Sequence, residues 1–316
     1  MFGQPKGRKI PQKPKAKNKM IYGIVVAVLM TVALISGRMK QQQEQAVVKS
    51  DAALQVHVID VGQGDGILVI ADGNAMLIDS GEPNAGYQVG DYLDTLGIKE
   101  LEYVVATHLH SDHMGGFASS LSGRTVHCTA EPICPENLVP DDVVYHAYSR
   151  AVSDNSAKDC RKLTLQDGDS FSLGNAEIQV LAPADTDAGS LNNTSLVLRL
   201  QYDDIVCLFT GDMETDAEQA LLERHPDISA DLLKVAHHGS EYGTGEDFLN
   251  AVQPRFAAIS CSIDNDYGHP APETLERLHA VGAQVGITAE QGHLVYLYDA
   301  GTKQFTCIVQ KPEGNT

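Results

Sequence analysis

The first 40 residues contain no aspartate or glutamate, although the 316-residue chain holds 42 acids. The same stretch carries nine of the 23 lysines and arginines, which leaves 14 basic against 42 acidic residues beyond it, a formal −28. A domain so poor in cations lacks the basic stripe with which proteins usually neutralise nucleic-acid phosphates. Charge is also missing from residues 21–37, which follow seven basic residues and precede Arg38 and Lys40. A basic run before a short apolar segment reads as a signal sequence, and 17 residues stand at the lower limit for crossing a bilayer. No A-x-A cleavage site precedes Arg38 and there is no lipobox cysteine, so the expectation is an uncleaved anchor. The domains expected are a basic cytoplasmic tail (1–20), a signal anchor (21–37), a polar tether (38–53) and an extracytoplasmic domain (54–311). That makes a single-pass protein of the cell membrane, or a secreted one if the segment is cleaved. Tryptophan is absent, which excludes nothing. The chain has no G-x-S-x-G element and so no serine nucleophile of that kind.

The most informative stretch is Thr107-His108-Leu109-His110-Ser111-Asp112-His113-Met114-Gly115-Gly116. It follows Tyr103-Val104-Val105-Ala106, an apolar run that reads as a buried strand. A strand that ends in a tight loop throws alternate side chains into one small volume. Histidine and aspartate are the ligand types that hold Zn2+ or Mn2+. The glycine pair lets the backbone approach the site and begin a new element.

HxHxDH followed by GG resembles the metal-binding signature of the metallo-β-lactamase superfamily. Further elements narrow the resemblance: Asp60-Val61-Gly62-Gln63-Gly64-Asp65, Leu77-Ile78-Asp79-Ser80-Gly81, Asn192-Asn193-Thr194-Ser195, Thr210-Gly211-Asp212, His237-His238-Gly239-Ser240 and Tyr267-Gly268-His269-Pro270. In this order they are similar to the hydrolase domain of ComEC-type competence proteins and cover about residues 54–298. The resemblance implies an α/β four-layer αβ/βα sandwich with its metals at the edge where two sheets meet. About 275 residues, in a chain that is 43% apolar, suit one such domain with a sizeable core.

The resemblance also distributes roles. Asp212 would bridge two ions. One of His237 and His238, but not both, would complete the tighter site with Asp112, His113 and Asp212. His108, His110 and Asp212 would form a looser one, because Asn192-Asn193-Thr194-Ser195 stands where many relatives supply another histidine. Amides and hydroxyls are poor zinc ligands and better accepted by harder ions, so Mn2+ would serve as well as Zn2+, with one or two ions per chain. Asp79 would fix the tautomer of a ligand histidine, and Asn192, Asn193, Ser195 and Ser240 would support the ligands. Asp60 and Asp65 read as structural or supporting residues. His269 would donate to developing charge or to the leaving group, and Asp112 and Asp212 would take part in catalysis by a metal-activated water. His57, His127, His146, His225, His279 and His293 have no motif around them.

Alternating apolar runs predict strands near 55–60, 67–70, 75–79, 178–181, 196–201, 205–210, 232–236, 256–260, 284–288, 294–298 and 305–309. Helices are expected near 87–96, from 116, and near 214–224, 246–252 and 272–281. Residues 122–162, with Pro132, Pro135 and Pro140, read as an irregular lid over the site. In an extracytoplasmic domain a disulfide among Cys128, Cys134 and Cys160 is expected, with Cys128–Cys134 as the first choice. Function then divides three ways. A membrane-anchored nuclease or phosphodiesterase acting on single-stranded DNA comes first. A hydrolase of a cell-wall or small phosphorylated or ester substrate suits the acidic surface better. A non-catalytic envelope factor with a structural metal is the third.

Overall fold

The computed structural model describes residues 50–154, 156–183 and 189–309. The expected tail and signal anchor, with most of the tether, lie outside the described residues. Among those described, no helix is long and apolar enough to cross a membrane.

The chain begins with β1 (Leu54–Val58), β2 (Ile67–Ala71) and β3 (Asn74–Ile78). Asp72 and Gly73 join the last two with positive φ at both positions (49° and 81°), the two-residue turn whose twist suits a hairpin. Helix α1 (Ala85–Leu96) buries Val89, Tyr92 and Leu93 and stops at Gly97. Short β4 (Glu100–Leu101) and β5 (Tyr103–Val105) lead to two single helical turns, α2 (Ser111–Met114) and α3 (Phe117–Ser120). Then come β6 (Thr125–Pro132), α4 (Val143–Asp154) and β7 (Ser156–Leu165). The second half holds β8 (Ser170–Leu173), β9 (Ala176–Ala182), β10 (Val197–Tyr202) and β11 (Ile205–Phe209). It continues through α5 (Thr215–Arg224), β12 (Leu232–Lys234), α6 (Glu246–Val252), β13 (Phe256–Ile259) and α7 (Pro272–Ala280). The last elements are β14 (Gln284–Ile287), α8 (Thr288–Gln291), β15 (Leu294–Asp299) and β16 (Gln304–Val309).

Two sheets result. One runs β16-β15-β1-β2-β3-β5-β6-β4, with β7 also on β6, and the other runs from β14 through β8 in reverse chain order. Three apolar clusters show how they stack. Leu54, Val56, Ile67 and Val69 meet Leu198, Leu200, Cys207 and Phe209 between the sheets. Leu68, Leu77 and Val104, on the opposite face of the first sheet, pack under Val89, Leu93 and Phe117. Leu208, Leu233 and Ala257 do the same on the second sheet under Leu221, Phe248 and Leu278. The order is helix, sheet, sheet, helix: successive side chains point to opposite faces, so the continuous apolar runs of the central strands are buried on both.

Three expectations change. Residues 122–162 do not form an irregular lid: β6, α4 and β7 extend the first sheet, and Asp142 caps α4 by accepting from the Val144 and Tyr145 amides at 2.9 Å each. The disulfide is also absent, since all six cysteines are free. Cys128 points into the core between the sheets, whereas Cys134 and Cys160 pack with the cluster on the sheet's other side. The helix expected from Gly116 is a single turn, because α3 ends at Ser120.

Candidate metal centre

Parallel strands place their carboxyl ends on one edge, and loops leaving those ends converge there. In the first sheet β3 and β5 are parallel, and Asp79 and the 107–113 loop follow them. In the second, β11, β12 and β13 are parallel, and Asp212, His237-His238 and Ser260 follow them. Leu196 N donates to Thr107 O at 2.8 Å and Ser260 Oγ to Gly64 O at 2.7 Å, stitching loops of the two sheets together, and His237 N donates to Gly211 O at 3.1 Å between neighbouring loops of the second. Gly64, at φ +127°, lies against the Asp112 carbonyl so closely that a Cβ would stand 2.2 Å from it. His237 and His238 both adopt left-handed backbone (φ 48° and 55°), a strained pair held by bonds on either side.

Asp79 organises the first half of the site. Its carboxylate accepts from Thr107 N at 2.8 Å, Thr107 Oγ1 at 2.7 Å and His113 Nδ1 at 2.8 Å. The proton on Nδ1 leaves a lone pair on Nε2 of a neutral His113, and that atom faces Asp212 Oδ1 at 3.2 Å. His238 repeats the arrangement. Its Nδ1 donates to the Ser260 carbonyl at 3.0 Å, so Nε2 faces Asp112 Oδ2 and Asp212 Oδ2, each at 3.3 Å. His113 Nε2, His238 Nε2 and Asp212 Oδ1 are buried without a hydrogen-bond partner. Acceptors that face acceptors in a buried space require a cation between them.

Protonation answers the same demand. Burial would depress both imidazoles, but Asp212, Asp79 and Asp112 outweigh it at His113, and Asp212, Asp112 and Asp65 do so at His238, so both are raised well above the usual range. Burial would raise Asp212 and Asp112, and the same two histidines instead hold them below it. Asp79 is raised by its burial.

A second cluster shares Asp212. Ligand atoms of His108, His110 and Asp212 lie within 4.8 Å of one another, as do those of Asp65, His113, Asp212 and His238. His108 Nε2 is 2.8 Å from His110 Nδ1 and 3.9 Å from Asp212 Oδ2. Burial lowers the pKa of both histidines, which keeps them neutral as ligands must be. Ser195 Oγ accepts from Asp212 N at 3.0 Å and lies 3.4 Å from His108 Nδ1. The donor set therefore fits divalent ions: Asp65, His113, Asp212 and His238 in one group, with Asp112 Oδ2 3.3 Å from His238 Nε2 and 4.0 Å from His113 Nε2 beside it, and His108, His110 and Asp212 in the other.

Of the histidine pair, His238 reaches further into the clusters. His237 stands nearer the rim, with Nε2 3.9 Å from Asp212 Oδ2, as far as His108 Nε2 is, and Nδ1 3.7 Å from Glu214 Oε1. Asn192 Nδ2 donates to that same oxygen at 3.0 Å and Asn193 Oδ1 accepts from Glu214 N at 3.0 Å, so the two amides anchor Glu214, and Asn192 lines the cleft beside His110. Ser240 lies elsewhere: its hydroxyl accepts from Tyr242 N at 3.3 Å, closing the turn after the histidines. His269 joins His237, His110 and Asp112 in lining a cleft of about 300 Å³ over the clusters, its ring stacked on Tyr267. Burial and the nearby His238 and His237 lower its pKa to about 4, so it is neutral at pH 7. Sequence reasoning missed Lys234, fully buried at the floor of the site, where its Nζ lies 2.7 Å from Asp65 Oδ2. A lone lysine ending an apolar strand was the only signal for it.

This chain belongs to the metallo-beta-lactamase superfamily, whose family model matches residues 59–262. Within the superfamily it is similar to part of the ComEC-type competence proteins. It is 31% identical over 262 residues to ComE operon protein 3 of Bacillus subtilis (strain 168), covering 77% of this chain and 33% of that protein. It is 29% identical over 274 residues to Competence protein ComA of Neisseria gonorrhoeae, covering 85% and 35%. The chain thus spans about a third of the length of these relatives. The solved structure of a point mutant of the β-hydroxylase CmlA aligns with a TM-score of 0.51 at 12% identity, over 79% of this chain and 55% of that one, and shares the fold. The fold holds one or two metal ions, for which the His/Asp clusters are the candidate sites.

Proposed function

We infer that the chain is a metal-dependent phosphodiesterase, held at the outer face of the cell membrane by residues 21–37. The observation that carries this reading is the convergence of His113 Nε2, His238 Nε2, Asp112 and Asp212 without hydrogen-bond partners for the nitrogens, at the base of an open cleft. Divalent ions, Mn2+ or Zn2+, supply Lewis acidity and a water acidified to near neutrality when bound by such groups. The protein's own part is orientation. Asp79 and the Ser260 carbonyl keep both imidazoles in the tautomer that offers Nε2. Asp212 serves both clusters. His269, neutral at pH 7, donates a hydrogen bond to charge developing on the substrate or leaving group.

The cleft's charge narrows the substrate. Among the described residues, no lysine or arginine lines it, while Glu82, Asp112 and Asp212 do. A phosphodiester carries one negative charge; a phosphomonoester or pyrophosphate carries more and finds no fixed cation there. The same observation favours a small or cell-wall diester over a long polyanion such as single-stranded DNA.

The test compares the full chain with Asp212→Ala on bis(p-nitrophenyl) phosphate and on end-labelled single-stranded DNA, with Mn2+ or Zn2+. Diester cleavage that Asp212→Ala abolishes is expected. DNA cleavage, where seen, should accelerate as salt screens the −28 domain from its polyanion, the reverse of a basic nuclease. Stoichiometric metal binding with no cleavage of either diester refutes the proposal.

A further inference from the structure

Asp65 is a buried acid at the metal centre, with one oxygen beside the Lys234 ammonium and the other on the Nδ1 side of His238. It is 1% exposed, and one of its oxygens belongs to the same 4.8 Å cluster as His113, Asp212 and His238. Its backbone is fixed, with N donating to Asp112 O at 3.1 Å and O accepting from Gly81 N at 2.7 Å. Oδ1 lies 3.4 Å from His238 Nδ1, on the side of the ring away from Nε2. Oδ2 lies 2.7 Å from the ammonium of Lys234, itself 1% exposed, which also donates to the Val235 carbonyl at 2.9 Å.

We propose that Lys234 acts as a built-in cation that holds Asp65 out of the ligand set, and so fixes how many carboxylates a bound metal meets. The inference rests on the reading of this edge as a metal centre. A buried lysine and a buried aspartate each need a partner of opposite charge, and here each has the other. The pair stands at the centre itself, so whatever neutralises Asp65 decides whether it competes for the ion. Without the ammonium, the Asp65 carboxylate turns to the metal, the nearest cation left to it. Held by Lys234, it stays behind the His238 ring, where its charge beside Nδ1 supports Nε2 as a ligand. Lys234 is a positioning residue, since no substrate reaches it.

Cobalt(II) reads this directly, because its visible absorption weakens as the number of ligands rises. The full chain, Lys234→Met, and the double variant Asp65→Leu with Lys234→Met are titrated with Co2+ alone, followed by absorption and by competition with a chromophoric chelator. Lys234→Met should show weaker absorption per bound ion and an affinity shifted at least tenfold. Adding Asp65→Asn to Lys234→Met should restore the parent spectrum. The double apolar variant, in which no buried charge is left unpaired, should keep the parent spectrum and bind within about threefold, and it serves if Lys234→Met does not fold. A parent-like Lys234→Met spectrum and affinity would overturn the proposal. So would a double variant that has lost tenfold or more in affinity with an altered spectrum, because Asp65 would then be a ligand. None of these readings depends on phosphodiester cleavage, so failure of the proposed activity leaves the result interpretable.

Discussion

Replacing Asp79 with asparagine tests the orientation argument at its most constrained point. The carboxylate accepts three hydrogen bonds, one on Oδ1 from Thr107 N and two on Oδ2 from Thr107 Oγ1 and His113 Nδ1. An amide has one acceptor oxygen. If it stays against Thr107 N, the amide nitrogen meets the His113 Nδ1–H, donor against donor. If it turns over, the nitrogen meets the Thr107 backbone N–H in the same way. The first outcome is relieved when His113 moves its proton to Nε2, which removes the lone pair that a metal requires. A buried donor left unmatched costs about 1–3 kcal/mol, and each 1.4 kcal/mol is about tenfold. Metal affinity should therefore fall about 10- to 100-fold, the range seen when the partner of a ligand histidine is lost. Competition with a chromophoric chelator measures it, and circular dichroism shows that the variant is folded. A folded Asp79→Asn protein that binds Mn2+ or Zn2+ within twofold of the parent would refute the reasoning.

Two further outcomes follow from the same geometry. His113 and His238 bind protons more tightly in the metal-free fold than when unfolded, so that stabilisation is complete below about pH 6.5 and is lost as pH rises through their raised folded values. A divalent ion uses the same nitrogens and must displace those protons. The rise in Tm caused by Mn2+ should therefore be larger at about pH 8 than at about pH 6, and a pH-independent rise would contradict the assignment. Gly116→Ala puts a Cβ 1.9 Å from the Ser80 carbonyl, where the backbone after Asp79 crosses α3. Overpacking of this kind should cost about 1–3 kcal/mol in urea unfolding, and a loss below about 0.5 kcal/mol would show that the crossing relaxes freely.

Much of the fold was legible because burial on two faces writes itself as apolar runs. Residues 67–70, 205–210 and 256–260 correspond to β2, β11 and β13, and 246–252 is α6. The 122–162 segment was not legible. Its strand, Thr125–Pro132, mixes His127, Glu131 and Pro132 among its apolar residues, and its helix is announced by little more than the cap at Asp142.

The site divides along the same line. By itself the sequence determined which chemistry was on offer, since HxHxDH, Asp212 and the 237–238 pair are ligand types whose local spacing survives in any register. It also determined the charge split between residues 1–40 and the rest. Only the tertiary structure separated His238 from His237, because two successive left-handed residues set Nε2 of the one 3.3 Å from both Asp112 and Asp212 and leave that of the other 3.9 Å from Asp212, nearer the rim. Only the tertiary structure returned β15 and β16 to the first sheet beside β1, since strand pairing between distant segments depends on the faces they can bury together. The meeting of Lys234 with Asp65 belongs there too. They lie 169 positions apart in sequence and 2.7 Å apart in space, and a buried charge has no pattern in sequence until its counter-charge is beside it.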